Sequence, residues 1–382
     1  MSRTVFILGA GASAQAGAPL MWNFLEVAER LRYEAGAAAE QDFELVLKAR
    51  AELQAVHSKA RLDIENLESV FAAFEMAALR GALGRLTDGQ VMRLPAAMRL
   101  LIVHTLEMAV RWTVTLDGQI HSPAPYHEFA ALVRGMIQNY VVPRARPHDV
   151  SVITFNYDVA ADYALRRELS ALGISLDYCL DDPPAAETRQ TRLDFMKLHG
   201  SLNWGRCQEE TCEGVYLRDV FDFAEETRAF RYTRGDGQPE RIPLRIFEHG
   251  VVGLRCPRSN QPCIGQPLIV PPTWSKTQHY QRIAKVWKRA AQHLSEAERI
   301  VVVGYSLTPA DQSFAYLYGL GTVGDTWLKG FVVVDSSSLK ASQRAALEDR
   351  YRALLGPAVV PSRFRIEFES FEWAIRANLL PD

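Results

Sequence analysis

The chain has 382 residues, 48% of them hydrophobic and 23% charged, with a net charge of −2. This is the make-up of a globular protein with a sizeable core, spread over two lobes or one elaborated domain, and it excludes bulk disorder. The balanced charge predicts no direct nucleic-acid binding, and no apolar run reaches the ~20 residues of a transmembrane helix.

Met1-Ser2-Arg3-Thr4 leads directly into the strand-like run Val5-Phe6-Ile7-Leu8, which is too short for the apolar segment of a secretion signal. Five cysteines do not make a disulfide scaffold. A cytoplasmic protein without membrane contact is therefore expected.

Residues 4–8 predict a buried strand ending in Gly9-Ala10-Gly11. Helical spacing follows from Trp22 to Leu31 and over 42–56, 64–86, 96–115 and 126–141, so that roughly 40–140 reads as all-helical. After the Pro143–Pro147 break, Val150 to Thr154 is a second buried strand and 158–171 a helix. Met196-Lys197-Leu198-His199 is strand-like. Residues 205–265 read as irregular, and Leu268-Ile269-Val270 stops at Pro271-Pro272. A helix over 277–294 then precedes strands at Arg299–Val303, Phe331–Asp335 and Phe364–Phe368. The basic residues Arg282, Lys285, Lys288 and Arg289 around Trp287 read as a solvated helix face.

Short apolar strands alternating with helices predict an α/β fold: a Rossmann-like parallel sheet with helices on both faces. In such a sheet the ligand sits at the carboxyl ends of the strands. Small and polar residues stand at each of these ends: Gly9-Ala10-Gly11-Ala12-Ser13, Asn156-Tyr157-Asp158, His199-Gly200, Gly304-Tyr305-Ser306 and Asp335-Ser336. Five loops thus point to one site for a polar, phosphorylated ligand.

Gly9-x-Gly11-x-x-Ala14 in a strand–turn–helix setting suits a phosphate cradle, although alone it equally suits a tight turn. The acidic residue that a dehydrogenase carries at the end of its second strand is not evident. In Thr154-Phe155-Asn156-Tyr157-Asp158, Asn156 carries both donor and acceptor groups for a ribose hydroxyl or a water. Asp158 reads equally as a ribose acceptor or a helix cap. Of nine histidines, His199 is the candidate base, placed by Gly200 at a turn.

Together these segments resemble the sirtuin family. Gly9 to Ser13 with Gly17-Ala18-Pro19 is similar to the sirtuin glycine motif and its Gly-Ile-Pro. Thr154 to Asp158 is similar to Thr-Gln-Asn-Ile-Asp, His199-Gly200 to the catalytic His-Gly, and Gly304-Tyr305-Ser306 to the late Gly-Thr-Ser. Leu20-Met21-Trp22 replaces the deacylase Asp-Phe-Arg, a helical insertion comes next, and Asp335 and Ser336 stand where the usual ribose-gripping Asn is missing. With the run Leu198 to Trp204, the resemblance is strongest to sirtuin-like proteins of bacterial anti-phage defence.

The resemblance implies NAD+ as substrate, hydrolysed to ADP-ribose and nicotinamide with Asn156 and His199 as the critical pair. It assigns Gly9, Ala10, Gly11, Ser13, Thr154, Asp158, Gly304, Ser306 and Asp335 to NAD+ binding. It also implies control by homo-oligomerisation or by a partner such as a HerA-type ATPase or an Argonaute-like protein. The rival readings are an NAD-dependent protein deacylase and a non-catalytic NAD or ADP-ribose sensor. Cys207, Cys212, Cys256 and Cys263 come after the His-Gly, where sirtuins carry a structural zinc; free thiols are the other reading.

The expected organisation is a Rossmann-like NAD-binding domain over 1–40 and 145–382, holding the cysteine-bearing insertion at 205–265. Residues 41–144 are expected to form the helical insertion.

Overall fold

The structure, a computed structural model, describes residues 3–34, 37–55, 62–114, 119–138, 149–182, 191–207, 209, 212, 214–217, 240–243, 255–256, 259–270, 277–308, 312–323, 326–356, 359 and 362–377. The strands in chain order are β1 Thr4–Leu8, β2 Arg111–Val114, β3 Ile120–His121, β4 Val150–Thr154, β5 Ser175–Asp177, β6 Arg192–Lys197, β7 Gly200–Cys207, β8 Val215–Leu217, β9 Glu240–Pro243, β10 Cys263–Ile269, β11 Arg299–Val303, β12 Gly330–Asp335 and β13 Phe364–Phe368. The helices are α1 Ala10–Ala14, α2 Phe24–Leu31, α3 Ala37–Ala55, α4 Leu67–Arg80, α5 Asp88–Ala109, α6 Tyr126–Ile137, α7 Ala160–Ser170, α8 Thr277–Ser295, α9 Gln312–Gly321, α10 Ala341–Leu354 and α11 Phe371–Arg376. Among the described residues no helix is long and apolar enough to cross a membrane.

The chain divides into two compact units. The first comprises Met1–Ala16, His121–Gly200 and Tyr280–Asp382. Its seven strands run in the order β13-β12-β11-β1-β4-β6-β5, and every neighbouring pair is parallel. The central strands are rich in β-branched residues and buried over nearly all their length, because helices cover both faces of the sheet. One of these helices, α6, lays Tyr126, Phe129, Ala130 and Val133 inward at helical spacing, and Phe129 meets Phe6 of β1 edge-on at 5.2 Å.

Two consequences position the site. All strands are parallel, so their carboxyl ends share one edge of the sheet. β1 also lies between β4 and β11, where the chain passes from one half of the sheet to the other, and a crevice opens at such a switch point.

The second unit comprises Gly17–Ile120 and Ser201–His279. Its core helix α5 starts at a capping box between Thr87 and Gln90 and buries Val91, Leu94, Met98, Leu101 and Ile102. Asn66 caps α4 by accepting from the N–H groups of Glu68 and Ser69, and Gly81 ends it in the left-handed region (φ 77°). Two three-stranded sheets, β10-β7-β8 and β3-β2-β9, complete the unit.

The units differ in boundary from the division expected from sequence. Residues 17–40 and 201–279 group with the helical segment, and 121–144 with the large sheet. The helix expected over 96–115 stops at Ala109, where Val110 turns extended (ψ 119°), and Arg111–Val114 pairs antiparallel with β9. Trp112 in that strand is buried, so tertiary pairing overrides the helical spacing. The segment 205–265, expected to be irregular, contains strands β8 and β9 and parts of β7 and β10. The Pro143–Pro147 break, Pro271-Pro272 and the Arg282 side chain lie outside the described residues.

Lys197 and Asp162 are fully buried in the first unit and form an ion pair at 3.0 Å, with the Tyr178 hydroxyl donating to Asp162 at 2.7 Å. Burial raises the Asp162 carboxyl above its ordinary range, and Lys197 and Tyr178 oppose that rise. Lys197→Met therefore leaves a buried acid without its cation and lowers stability by about 3–5 kcal/mol near neutrality, measured by urea unfolding. The variant's Asp162 holds a proton to higher pH when folded than when unfolded, so the deficit shrinks as pH falls into the carboxylate range.

Candidate active site

Backbone hydrogen bonds staple the strand ends of the first unit together. Gly9 N–H donates to Val303 O (2.9 Å), Phe155 N–H to Leu8 O (3.0 Å), Leu198 N–H to Thr154 O (2.9 Å) and Gly304 N–H to Val334 O (2.9 Å). The Thr154 hydroxyl also donates to Leu8 O (3.1 Å) and accepts from Asn156 N–H (3.1 Å), which turns the chain at the end of β4.

The turn aims Asn156 back at the β1 loop. Its Nδ2 donates to Gly9 O (2.9 Å) and lies within bonding distance of Ser13 Oγ (3.0 Å) and Tyr126 OH (3.3 Å). Ser13 in turn donates to Asp158 Oδ2 (2.7 Å) and contacts Tyr126 OH at 2.6 Å. Asp158 Oδ1 accepts from Ala160 N–H (3.1 Å), so Asp158 braces the first turn of α7 while its other oxygen receives Ser13. Its backbone carbonyl accepts from Lys197 Nζ (2.6 Å), tying this turn to β6.

His199 comes just after β6 at a turn completed by Gly200 (φ 82°). The residues flanking Asn156 enclose its ring: Phe155 meets it edge-on at 5.2 Å and Tyr157 stacks at 6.1 Å. Phe155 also stacks on Tyr305 at 4.3 Å, which joins the β4 and β11 ends. Trp287 Nε1 of α8 donates to Leu198 O (3.1 Å) and fixes the peptide before His199. The basic stripe of α8 is divided: Lys285 pairs with exposed Asp182 at 2.9 Å, whereas Arg289 and His293 both meet Asp194, at 3.0 and 2.6 Å.

On the other side of β1, Gly304 sits in the left-handed region (φ 61°), and the loop after it is held from α10. The Tyr351 hydroxyl donates to Tyr305 O (2.5 Å) and Arg350 Nε to Ser306 O (3.0 Å), leaving the Ser306 side chain exposed. Asp335 accepts from Ser336 N–H (2.7 Å). Burial raises its carboxyl above the ordinary range, against that N–H and Arg350.

The glycine turn has two duties. A side-chain carbon on Gly9 would lie 2.5 Å from Gly304 O, and one on Gly11 2.7 Å from Gly304 Cα. Gly11 N–H donates to Gly304 O (2.8 Å) and Ala12 N–H to Gly9 O (3.0 Å). The glycines let two loops meet backbone to backbone, and these two N–H groups are engaged within the protein. Ala10 begins α1, a helix of five residues.

Of the residues expected from sequence, Gly9, Ser13, Thr154, Asn156 and Asp158 form one hydrogen-bonded cluster, and Gly11 and Gly304 pack against its base. His199 lies on the adjacent strand end, with Ser306 and Asp335 on the far side of β1. Tyr126, Lys197, Trp287 and Tyr351 were not singled out for the site. A tyrosine within the apolar stripe of α6 is the signal that points to Tyr126, because a buried phenol needs a partner.

In the second unit Cys207, Cys212 and Cys256 bring their sulfurs within 4.8 Å of one another. Ser259 N–H donates to Cys256 Sγ (3.1 Å), and Ser259 Oγ contacts Cys207 Sγ (3.2 Å). Three converging thiols with polar contacts to sulfur suit a thiophilic ion. The Cys263 side chain lies outside the described residues.

No protein-family model and no curated relative matches the chain. Among solved structures it is similar to Sir2Tm bound to a propionylated peptide, with 15% identity, coverage of 98% of this chain and 91% of that chain, and a TM-score of 0.34. It is also similar to a complex of Sir2, p53 peptide and NAD+ (14% identity, 98% and 91% coverage, TM-score 0.36). A third is a complex of a Sir2 homologue with NAD (14% identity, 92% and 90% coverage, TM-score 0.32).

Gly304 gives the site's packing a direct test. Alanine there would put its Cβ 2.3 Å from Ala12 N at a φ of 61°. Gly304→Ala is expected to destabilise the protein by about 1–3 kcal/mol through strain and displaced backbone, read as a lowered melting temperature.

Proposed function

We propose that this chain is an NAD+ glycohydrolase, converting NAD+ and water to ADP-ribose, nicotinamide and a proton. The observation that carries this reading is the pairing of two polar side chains at adjacent strand ends of a parallel sheet. Asn156 is held by Gly9, Ser13 and Tyr126, and His199 is enclosed by Phe155 and Tyr157. The order of motifs that resembles the sirtuins supports NAD+ as the dinucleotide.

The chemistry asks little of the protein in acid catalysis. The C1′–N bond breaks with its electron pair passing to the pyridine nitrogen, so nicotinamide leaves neutral and the ribose takes on oxocarbenium character. The protein must fix the ribose, exclude bulk water and position one nucleophile. Asn156 supplies an oriented amide. His199, in an aromatic setting that limits solvent, accepts the proton of the attacking water directly or through a ribose hydroxyl. Gly9, Ala10, Gly11, Ser13, Thr154, Asp158, Gly304, Ser306 and Asp335 form the rest of the NAD+ site in this reading.

Cys207, Cys212 and Cys256, with Cys263 as the fourth by its place in the sequence, would hold a zinc ion. Its contribution is structural: cross-linking distant chain segments. A hydrolase that drains NAD+ must be restrained until needed, so control by self-assembly or by a partner belongs to the same proposal.

The chemistry is tested by NAD+ consumption, with nicotinamide and ADP-ribose separated by chromatography, with and without an acyl-lysine peptide. Peptide-independent cleavage is expected, falling about 100-fold or more in both Asn156→Ala and His199→Ala. Cleavage only with peptide identifies a deacylase instead. Binding of NAD+ without turnover, unaffected in signalling by Asn156→Ala, identifies a sensor. For the thiol cluster, elemental analysis is expected to find one zinc per chain, lost in Cys256→Ser together with a fall in melting temperature.

A further inference from the structure

Counting protons fixes the direction of every hydrogen bond around Asn156. Gly9 O is a carbonyl and only accepts, which sets the amino side of the amide toward it at 2.9 Å. Ser13 has one hydroxyl proton and gives it to Asp158 Oδ2. The 2.6 Å contact between Ser13 Oγ and Tyr126 OH therefore has Tyr126 as its donor. That proton is available: burial first, and then the Asp158 charge, raise the Tyr126 hydroxyl well above the usual phenol range.

The donor chain runs from Tyr126 to Ser13 to Asp158. Asn156 meets this chain from the side. One of its N–H groups goes to Gly9 O, and the other is shared between Ser13 Oγ (3.0 Å) and the Tyr126 oxygen (3.3 Å). Both amide N–H groups are engaged. The carbonyl oxygen Oδ1 remains, and among the described residues no hydrogen bond to it is found.

We propose that Tyr126 is a positioning residue: its hydroxyl, through Ser13 and directly, locks the Asn156 amide so that a ligand meets only the carbonyl oxygen. Asn156 then works as an acceptor and never as a donor. It selects a hydroxyl-bearing group, either the ribose of the substrate or the attacking water. Without the proton from Tyr126, Ser13 still donates to Asp158, but its oxygen has an unfilled acceptor position and the second Asn156 N–H loses one of two partners. Tyr126 starts α6, whose stripe packs on the sheet through Phe129 and Phe6, so the hydroxyl is delivered by a rigid element. The inference rests on the NAD+-cleaving reading of this site, and its test separates the two.

The test compares wild type with Tyr126→Phe, which keeps the ring and removes the hydroxyl. The first readout needs no turnover. In protein labelled with [15N]asparagine, the Asn156 side-chain NH2 signals, assigned by their loss in Asn156→Ala, are expected to be protected from solvent exchange in wild type and to exchange measurably faster in Tyr126→Phe. The second readout is steady-state NAD+ cleavage, in which kcat is expected to fall about 10–100-fold while KM changes less than about threefold. Unaltered Asn156 protection overturns the proposal, and so does altered protection with unaltered kcat. If wild type does not cleave NAD+, the protein is a sensor or a hydrolase still held in check, and the protection experiment alone decides whether Tyr126 sets the amide. Should Tyr126→Phe not fold, 3-fluorotyrosine at this position keeps the shape and makes the hydroxyl a stronger donor. A shift of the Asn156 signals with a changed kcat then supports the proposal, and no change in either overturns it.

Discussion

Asp158 is the point on which the site depends. One carboxylate oxygen receives the start of α7 through Ala160 N–H, and the other receives Ser13 from the β1 loop. Its backbone carbonyl receives Lys197 from β6. Three chain segments far apart in sequence are thereby tied to one buried residue. A buried polar network is costly unless each member is satisfied, because lost hydration must be replaced bond for bond. Here the replacement is nearly complete: Lys197 is answered by Asp162, Asp162 by Tyr178, and Ser13 by Tyr126. The network holds the turn after β4 in one geometry and so sets the direction of Asn156.

The opposite side of β1 is fixed by sterics rather than charge. Gly9, Gly11 and Gly304 bring two loops together at distances no side-chain carbon tolerates. Tyr305 then stacks on Phe155, so the β11 loop helps to position the residue that closes one side of His199. Close backbone packing on one flank and a satisfied polar network on the other leave little freedom at the strand ends. A site that stabilises charge developing in a reaction needs this pre-set geometry, because dipoles that must first reorganise contribute less.

Much of the large sheet was legible from sequence because a parallel sheet covered on both faces demands short, mostly apolar runs rich in β-branched residues. Val5 to Leu8, Val150 to Thr154 and Arg299 to Val303 are such runs. Their ends were legible for the same reason: glycine, asparagine and serine stand where the chain must turn. The second unit was less legible. Arg111–Val114 comes after a 22-residue helix whose last turns hold no glycine or proline to mark the change, and its partner strand lies over 100 residues away. Pairing over such a separation leaves no local periodic trace. Tyr126 was hidden differently, as one apolar-stripe residue among several, since spacing reports that a side chain is inward and not what its polar tip meets.

Lys197 and Tyr126 share a property that separates them from Asn156 and His199. Lys197 ends β6 and Tyr126 begins α6, and each acts by removing alternatives: Lys197 for the backbone carbonyl of Asp158, Tyr126 for the hydroxyl of Ser13. An asparagine in water offers donor and acceptor groups with similar ease, and rotation of its amide exchanges them. Its chemical identity as an acceptor is conferred by whatever engages its N–H groups. On this view the selectivity of the proposed site lies in the buried shell behind it. A substitution that preserves Asn156 and His199 while changing that shell alters what the same two residues can recognise.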